Sequence, residues 1–125
     1  MNIEELRDYF EKSAIYLLHD HYKFGSAPLR KIIAYNSARE TYEDELVEEC
    51  WKAFQAAAEF INSGADSTNE FVFTENFESY IRKTYIKNLK SKSYLLDTYD
   101  GVMYENDDTS LFFEFWKQCY SWLVE

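Results

Sequence analysis

Residues 41–62, TYEDELVEECWKAFQAAAEFIN, constrain the fold of this chain more than any other stretch. Leu46, Val47, Cys50, Ala53, Phe54, Ala57, Ala58 and Ile61 recur at three- and four-residue steps, which sets them on one stripe of an α-helix. Thr41 followed three residues on by Asp44 has the spacing of a capping box, and Gly64 stands where a left-handed C-terminal cap belongs. The opposite side of the helix carries Asp44, Glu45, Glu48, Glu49, Gln55 and Glu59. One segment therefore supplies the middle of a core and much of the chain's surplus of negative charge.

The rest of the chain also reads as helical. Asn2 caps a first helix, with Glu5 at its third position and Met1 facing Leu6 across the entry. Ile3, Leu6, Phe10, Ala14, Leu17, Leu18 and His21 form its apolar stripe, which runs to about Tyr22. Ser26, Ala27 and Pro28 open a shorter second helix through Leu29, Ile32 and Ile33, stopping near Asn36. Ser37 with Glu40 repeats the cap spacing of Thr41 with Asp44, which gives the central helix two candidate starts. Phe71, Val72 and Phe73 read as a short extended piece. Thr74 or Asn76 then caps a helix carrying Phe77, Tyr80, Ile81, Tyr85 and Leu89 to about Lys92.

Residues 94–105 support two readings. Asp100-Gly101 between Tyr99 and Val102 has the pattern of a two-residue hairpin turn. Gly101 also fits the end of a helical turn holding Leu95, Leu96 and Tyr99, which is favoured because an isolated hairpin is marginal in water. Asp107, Asp108 and Thr109 open a last helix bearing Leu111, Phe112, Phe113, Phe115, Trp116, Cys119, Tyr120, Trp122 and Leu123. With only three glycines and one proline in 125 residues, few sharp turns are specified and no linker divides the chain. The expected fold is all-α: a single domain over residues 1–125, built as a compact bundle of about five helices, with one short hairpin or turn near residues 94–105.

The formal net charge is −10, and it alternates along the chain: −3 over residues 1–22, +4 over 23–39, −8 over 40–70, +3 over 71–92 and −6 over 93–125. Such a balance repels nucleic acid and anionic membranes at long range and attracts basic partners. Cys50 and Cys119 sit in apolar helical contexts without metal spacing, as buried thiols of a reducing compartment do. The N-terminal residues have no apolar signal core and no apolar run approaches a membrane span, so the expected location is the cytoplasm.

Few motifs carry chemistry. His19 and His21 are two residues apart and point to different sides of a helix, so no metal site is expected there. There is no phosphate loop and no nucleophile elbow, so neither an enzyme nor a cofactor is expected. Lys83, Lys87 and Lys90, near Tyr80 and Tyr85, have the interleaved look of a single-strand binding surface, but a strongly acidic chain argues for a solvated face and against direct nucleic-acid binding.

The most distinctive charged feature is the acidic run from Glu40 to Glu49. Carboxylates held on a rigid helix can occupy positions that phosphates would take in a cationic groove. The expected function is that of a small inhibitor, of the immunity or counter-defence kind, that blocks a basic and nucleic-acid-handling protein such as a nuclease. Its expected contacts are Asp44, Glu45, Glu48, Glu49, Asp107 and Asp108, with Tyr42 and Tyr104 as aromatic anchors. The alternative is an adaptor that oligomerises through the aromatic C-terminal helix, with Trp116, Tyr120 and Trp122 in a self-interface. The expected state is monomer or homodimer.

Overall fold

The computed structural model describes residues 2–21, 34–63, 70–98 and 103–124, with backbone alone for 19–21 and 70–73. The first helix, α1, spans Ile3–His21. Its cap is the expected one, since the Glu5 amide donates to Asn2 Oδ1 at 2.8 Å. Leu6, Phe10, Ala14 and Leu18 are buried at the four-residue steps of its stripe, whereas Ile3 at its start faces solvent. The expected second helix lies outside the described residues over 22–33, and Met1 and Gly64 lie outside them too.

Residues 35–42 form a short antiparallel hairpin instead of helix. Strand β1, Tyr35–Asn36, pairs with β2, Thr41–Tyr42, in the register Tyr35 to Tyr42 and Asn36 to Thr41. Both expected starts of the central helix are therefore corrected: Ser37 lies in the connecting turn and Thr41 in a strand. Asn36 explains why. Its side chain accepts from the Arg39 amide at 3.1 Å and donates to Glu43 Oε1 at 2.9 Å, tying both sides of the turn. Glu40 closes the turn with φ 57°, a left-handed conformation that costs a residue with a Cβ about 1–2 kcal/mol.

The central helix, α2, spans Glu45–Asn62, with Asp44 as its cap: Asp44 Oδ1 accepts from the Val47 amide at 3.1 Å. Val47, Cys50, Trp51, Ala53, Phe54, Ala57 and Ala58 are its buried face. Helix α3 spans Glu70–Ile81, so Phe71–Phe73 are helical where an extended piece was expected. The helix does not continue to Lys92. It widens into a π-turn over Arg82–Ile86 and stops at Lys87, which has φ 51°. A 3-10 segment, Lys90–Leu96, follows. The two readings of 94–105 each hold a part: the helical turn contains Leu95 and Leu96, and Thr98 bridges Tyr104 in antiparallel fashion, with residues 99–102 outside the described set. The last helix, α4, spans Asp107–Val124, capped by Asn106, whose Oδ1 accepts from the Thr109 amide at 3.0 Å.

The fold is all-α, with α2 and α4 as its most extensively packed pair and one two-stranded hairpin at the side. Phe10 is the meeting point. Its ring centroid lies 5.1 Å from Phe115 of α4, 5.2 Å from Trp51 and 5.5 Å from Phe54 of α2, and 5.4 Å from Tyr42 of the hairpin. A second aromatic group joins α3 to α4: Phe77 lies 4.8 Å from Phe113, 5.5 Å from Trp116 and 5.6 Å from Tyr104. No helix among the described residues is long and apolar enough to cross a membrane.

Phe10→Ala removes a fully buried ring that four elements share, so it should lower unfolding free energy in urea by about 3–5 kcal/mol. Asp44→Ala removes the N-cap of α2 and should cost about 1 kcal/mol.

Candidate functional site

The sequence singled out carboxylates from two stretches more than fifty residues apart, and the fold brings part of them together. Asp44, Glu45 and Glu49 occupy the cap and first two turns of α2. Asp107 and Asp108 form the first turn of α4 and are exposed. The meeting of these stretches shows in the electrostatics of Glu49. Partial burial raises its carboxyl above the ordinary range, and Asp108 is the strongest like charge adding to that rise, with Glu45 behind it. Lys52 opposes the rise in part. Cys50, buried directly behind, has its thiol raised first by burial and then by Glu49, Asp108 and Asp44.

The expected contacts do not all belong to this surface. Glu48 turns back on the chain, its Oε1 accepting from the Tyr42 amide at 2.9 Å. That bond holds β2 against the start of α2. Tyr42 is 3 % exposed and Tyr104 6 % exposed, so both proposed anchors are core residues. Tyr42 packs on Phe10, Tyr35 and Trp51, and its buried hydroxyl lies near Glu11 and Arg7 without a hydrogen-bond partner among the described residues. Tyr104 packs edge-on against Phe113.

Tyr80 and Tyr85, expected on the apolar stripe of their helix and near the lysines, are the aromatic residues that do border the carboxylates. In an α-helix residues five apart diverge. The π-turn, closed by the Lys87 amide on the Arg82 carbonyl at 2.6 Å, brings them to one side. Tyr85 donates to Tyr80, and Thr84 donates to Tyr80 as well. Tyr80 lies against Trp116, and Tyr85 stacks on Phe112 at 5.6 Å. Burial first, with Glu49 adding, pushes the Tyr80 hydroxyl up to about 12; the Tyr85 hydroxyl is raised by burial, then by Tyr80 and Glu49. The edge of the site is therefore neutral phenol beside charged carboxylate.

The C-terminal helix is used inside the fold. Trp116 is buried. Trp122 is 39 % exposed, yet it stacks on Tyr9 at 4.8 Å and donates through Nε1 to Ser13 Oγ at 2.8 Å. Trp116 is thus a core residue, and Trp122 is partly engaged by α1.

Ion pairs among the described residues include Lys12 with Asp8 at 3.0 Å and Lys117 with Glu114 at 2.8 Å. Neither involves Glu45, Glu49, Asp107 or Asp108. Chemically, the surface is a set of carboxylates on two rigid helix ends, one of them half-buried beside a second negative charge, with phenol hydroxyls at its rim. It suits a guanidinium or ammonium group, which would relieve the repulsion between Glu49 and Asp108.

Because Glu49 titrates above its unfolded value, the folded state holds its proton more firmly, and stability falls as pH rises from the unfolded pKa through the folded one. Glu49→Gln should therefore be more stable than the parent at pH 7 in urea titrations, with the difference shrinking below the ordinary glutamate pKa. Cys50 and Cys119 are fully buried and their thiols are raised by that burial, Cys119 to about 12, so both should resist a thiol reagent until denaturant is added. In comparisons with known proteins, no family model, no curated protein and no solved structure matched the chain.

Proposed function

We propose that this protein is a stoichiometric inhibitor that docks its α2 and α4 carboxylates onto a basic surface of a nucleic-acid-handling protein, such as a nuclease, and so blocks it. The observation that carries this reading is the convergence of Glu45 and Glu49 with Asp108, none of the three in an ion pair with lysine or arginine among the described residues, with Asp107 exposed beside Asp108 in the first turn of α4. Carboxylates pre-set on helix ends lose little side-chain and backbone freedom on docking. The chain's charge of −10 would steer a cationic partner toward this face and speed encounter. Asp107 and Asp108 sit exposed in the first turn of α4, where the helix dipole favours negative charge. An immunity or counter-defence role in the cytoplasm fits such a blocker.

Glu48 is excluded from the contact set, because its carboxylate holds the Tyr42 amide. Tyr42 and Tyr104 are excluded because they are core. The docking residues proposed are Glu45, Glu49, Asp107 and Asp108, with Asp44 behind them as cap and Tyr80 and Tyr85 at the rim.

Affinity capture from the native host with wild-type protein, followed by mass spectrometry, should return a basic nucleic-acid-handling protein. Glu45→Lys/Glu49→Lys/Asp108→Lys should keep the helical circular dichroism signal and bind the captured partner at least about 100-fold more weakly, since each tenfold corresponds to about 1.4 kcal/mol. Unchanged binding by that variant would remove this face from the function. Because a cation pulls the Glu49 pKa down, affinity should rise with pH across the upper half of the Glu49 titration.

A further inference from the structure

Next to the acidic face lies its opposite. Residues 82–92 contain Arg82, Lys83, Lys87, Lys90 and Lys92 and no acid. The segment is the π-turn, the turn at Lys87 and the start of the 3-10 segment, so it is not one regular helix face but a bent ridge. All five cations are exposed, and none forms an ion pair among the described residues. Leu89 is 50 % exposed and Tyr94 51 % exposed on the same ridge, and Met103, beyond the bridge from Thr98 to Tyr104, is 62 % exposed.

The two charged surfaces are neighbours. Tyr85, in the middle of the basic segment, lies within the field of Glu49 and stacks on Phe112, one turn along from Asp108. A positive patch beside a negative patch on one face is self-complementary under a two-fold rotation, because each copy then sets its cations against the other copy's carboxylates. Two-fold pairs of this kind are the commonest closed oligomers. The exposed Leu89, Tyr94 and Met103 supply apolar surface that a purely charged contact lacks.

We propose that the ridge of residues 82–94 binds a second copy of this chain, seating its cations on the partner copy's Glu45, Glu49, Asp107 and Asp108 in a two-fold dimer. Charge complementarity selects this occupant over a nucleic-acid strand. Tyr80 and Tyr85 have their rings packed on Trp116 and Phe112, which leaves Tyr94 as the exposed ring of the ridge, and the overall charge of −10 opposes a polyanion. That net charge also opposes dimerisation at long range. At about 0.1 M salt the screening length is about 10 Å, which spans a contact but not the molecule, so the local attraction prevails there; at about 1 M, with a length of about 3 Å, it is lost. The dimer and the proposed inhibitory complex use the same carboxylates and exclude one another, so the free protein would keep its acidic face covered until a more basic partner displaces the second copy.

The test is sedimentation velocity on the full chain over a concentration series, with two charge-reversed variants. The wild type should dimerise at about 0.1 M salt and weaken at least about tenfold by about 1 M. Glu45→Lys/Glu49→Lys/Asp108→Lys and Lys83→Glu/Lys87→Glu/Lys90→Glu should each be monomeric alone and form a one-to-one dimer when mixed. Should a reversed variant lose its helical signal, the neutral sets with Gln and Asn should weaken the dimer instead. A wild type that stays monomeric throughout would overturn the proposal, as would a dimer that both reversed variants retain. Binding of a single-stranded oligonucleotide by a monomeric wild type would reassign the ridge to a polyanion. A lysine-rich peptide separates this proposal from the inhibitory one: the Lys→Glu variant should be monomeric and still bind that peptide, whereas loss of peptide binding would count against the acidic face itself.

Discussion

The fold depends on the burial of one aromatic ring. Phe10 touches α2, α4 and the hairpin at once, and its position fixes where the start of α2 lies relative to the rest. Interiors are close-packed, so a shared ring of this kind transmits position instead of absorbing it. The hairpin enters through Tyr42, which packs on Phe10 and whose amide is held by Glu48 from the first turn of α2. The second aromatic group, around Phe77 and Trp116, ties α3 to α4 and carries the π-turn with it. The acidic surface is the outer rim of these two packings. Its carboxylates are held in place because the rings behind them are.

The long periodic helices were legible in the sequence. The stripes of α1 and α2 and the acidic opening of α4 all follow from three- and four-residue steps and from Asn2, Asp107 and Asp108 at helix starts. The hairpin was not legible, for a physical reason. Two-residue strands show no alternation, and the turn that joins them uses Glu40 at positive φ where glycine or asparagine would have announced it. Thr41 with Asp44 has cap spacing in either reading, and only the partner of Tyr35 decides between them. Phe71–Phe73 are apolar in succession, a pattern that periodicity cannot assign to strand or helix.

The candidate site was legible in its charges and not in its rings. Glu45, Glu49, Asp107 and Asp108 are identified from their place on helix faces, and the fold brings Asp108 into the field of Glu49. Tyr42 and Tyr104 were expected as aromatic anchors of a contact surface, yet a tyrosine can bury its ring whatever its neighbours are, and both do. Glu48 was placed with the surface acids because a helical wheel cannot show a carboxylate reaching back to a preceding strand. Tyr80 and Tyr85 were missed as rim residues because their convergence needs a π-turn, which leaves no mark in the pattern of residue types.

The central claim is that Glu49 and Asp108 stand close enough on adjoining helix ends to disturb one another, leaving a negative site that a cation would relieve. Carbon-detected NMR titration of the Glu49 side chain tests this most directly. The account predicts that Glu49 titrates above the ordinary glutamate range and moves back toward it in Asp108→Asn. A Glu49 carboxyl that titrates normally, and does so identically in Asp108→Asn, would contradict it.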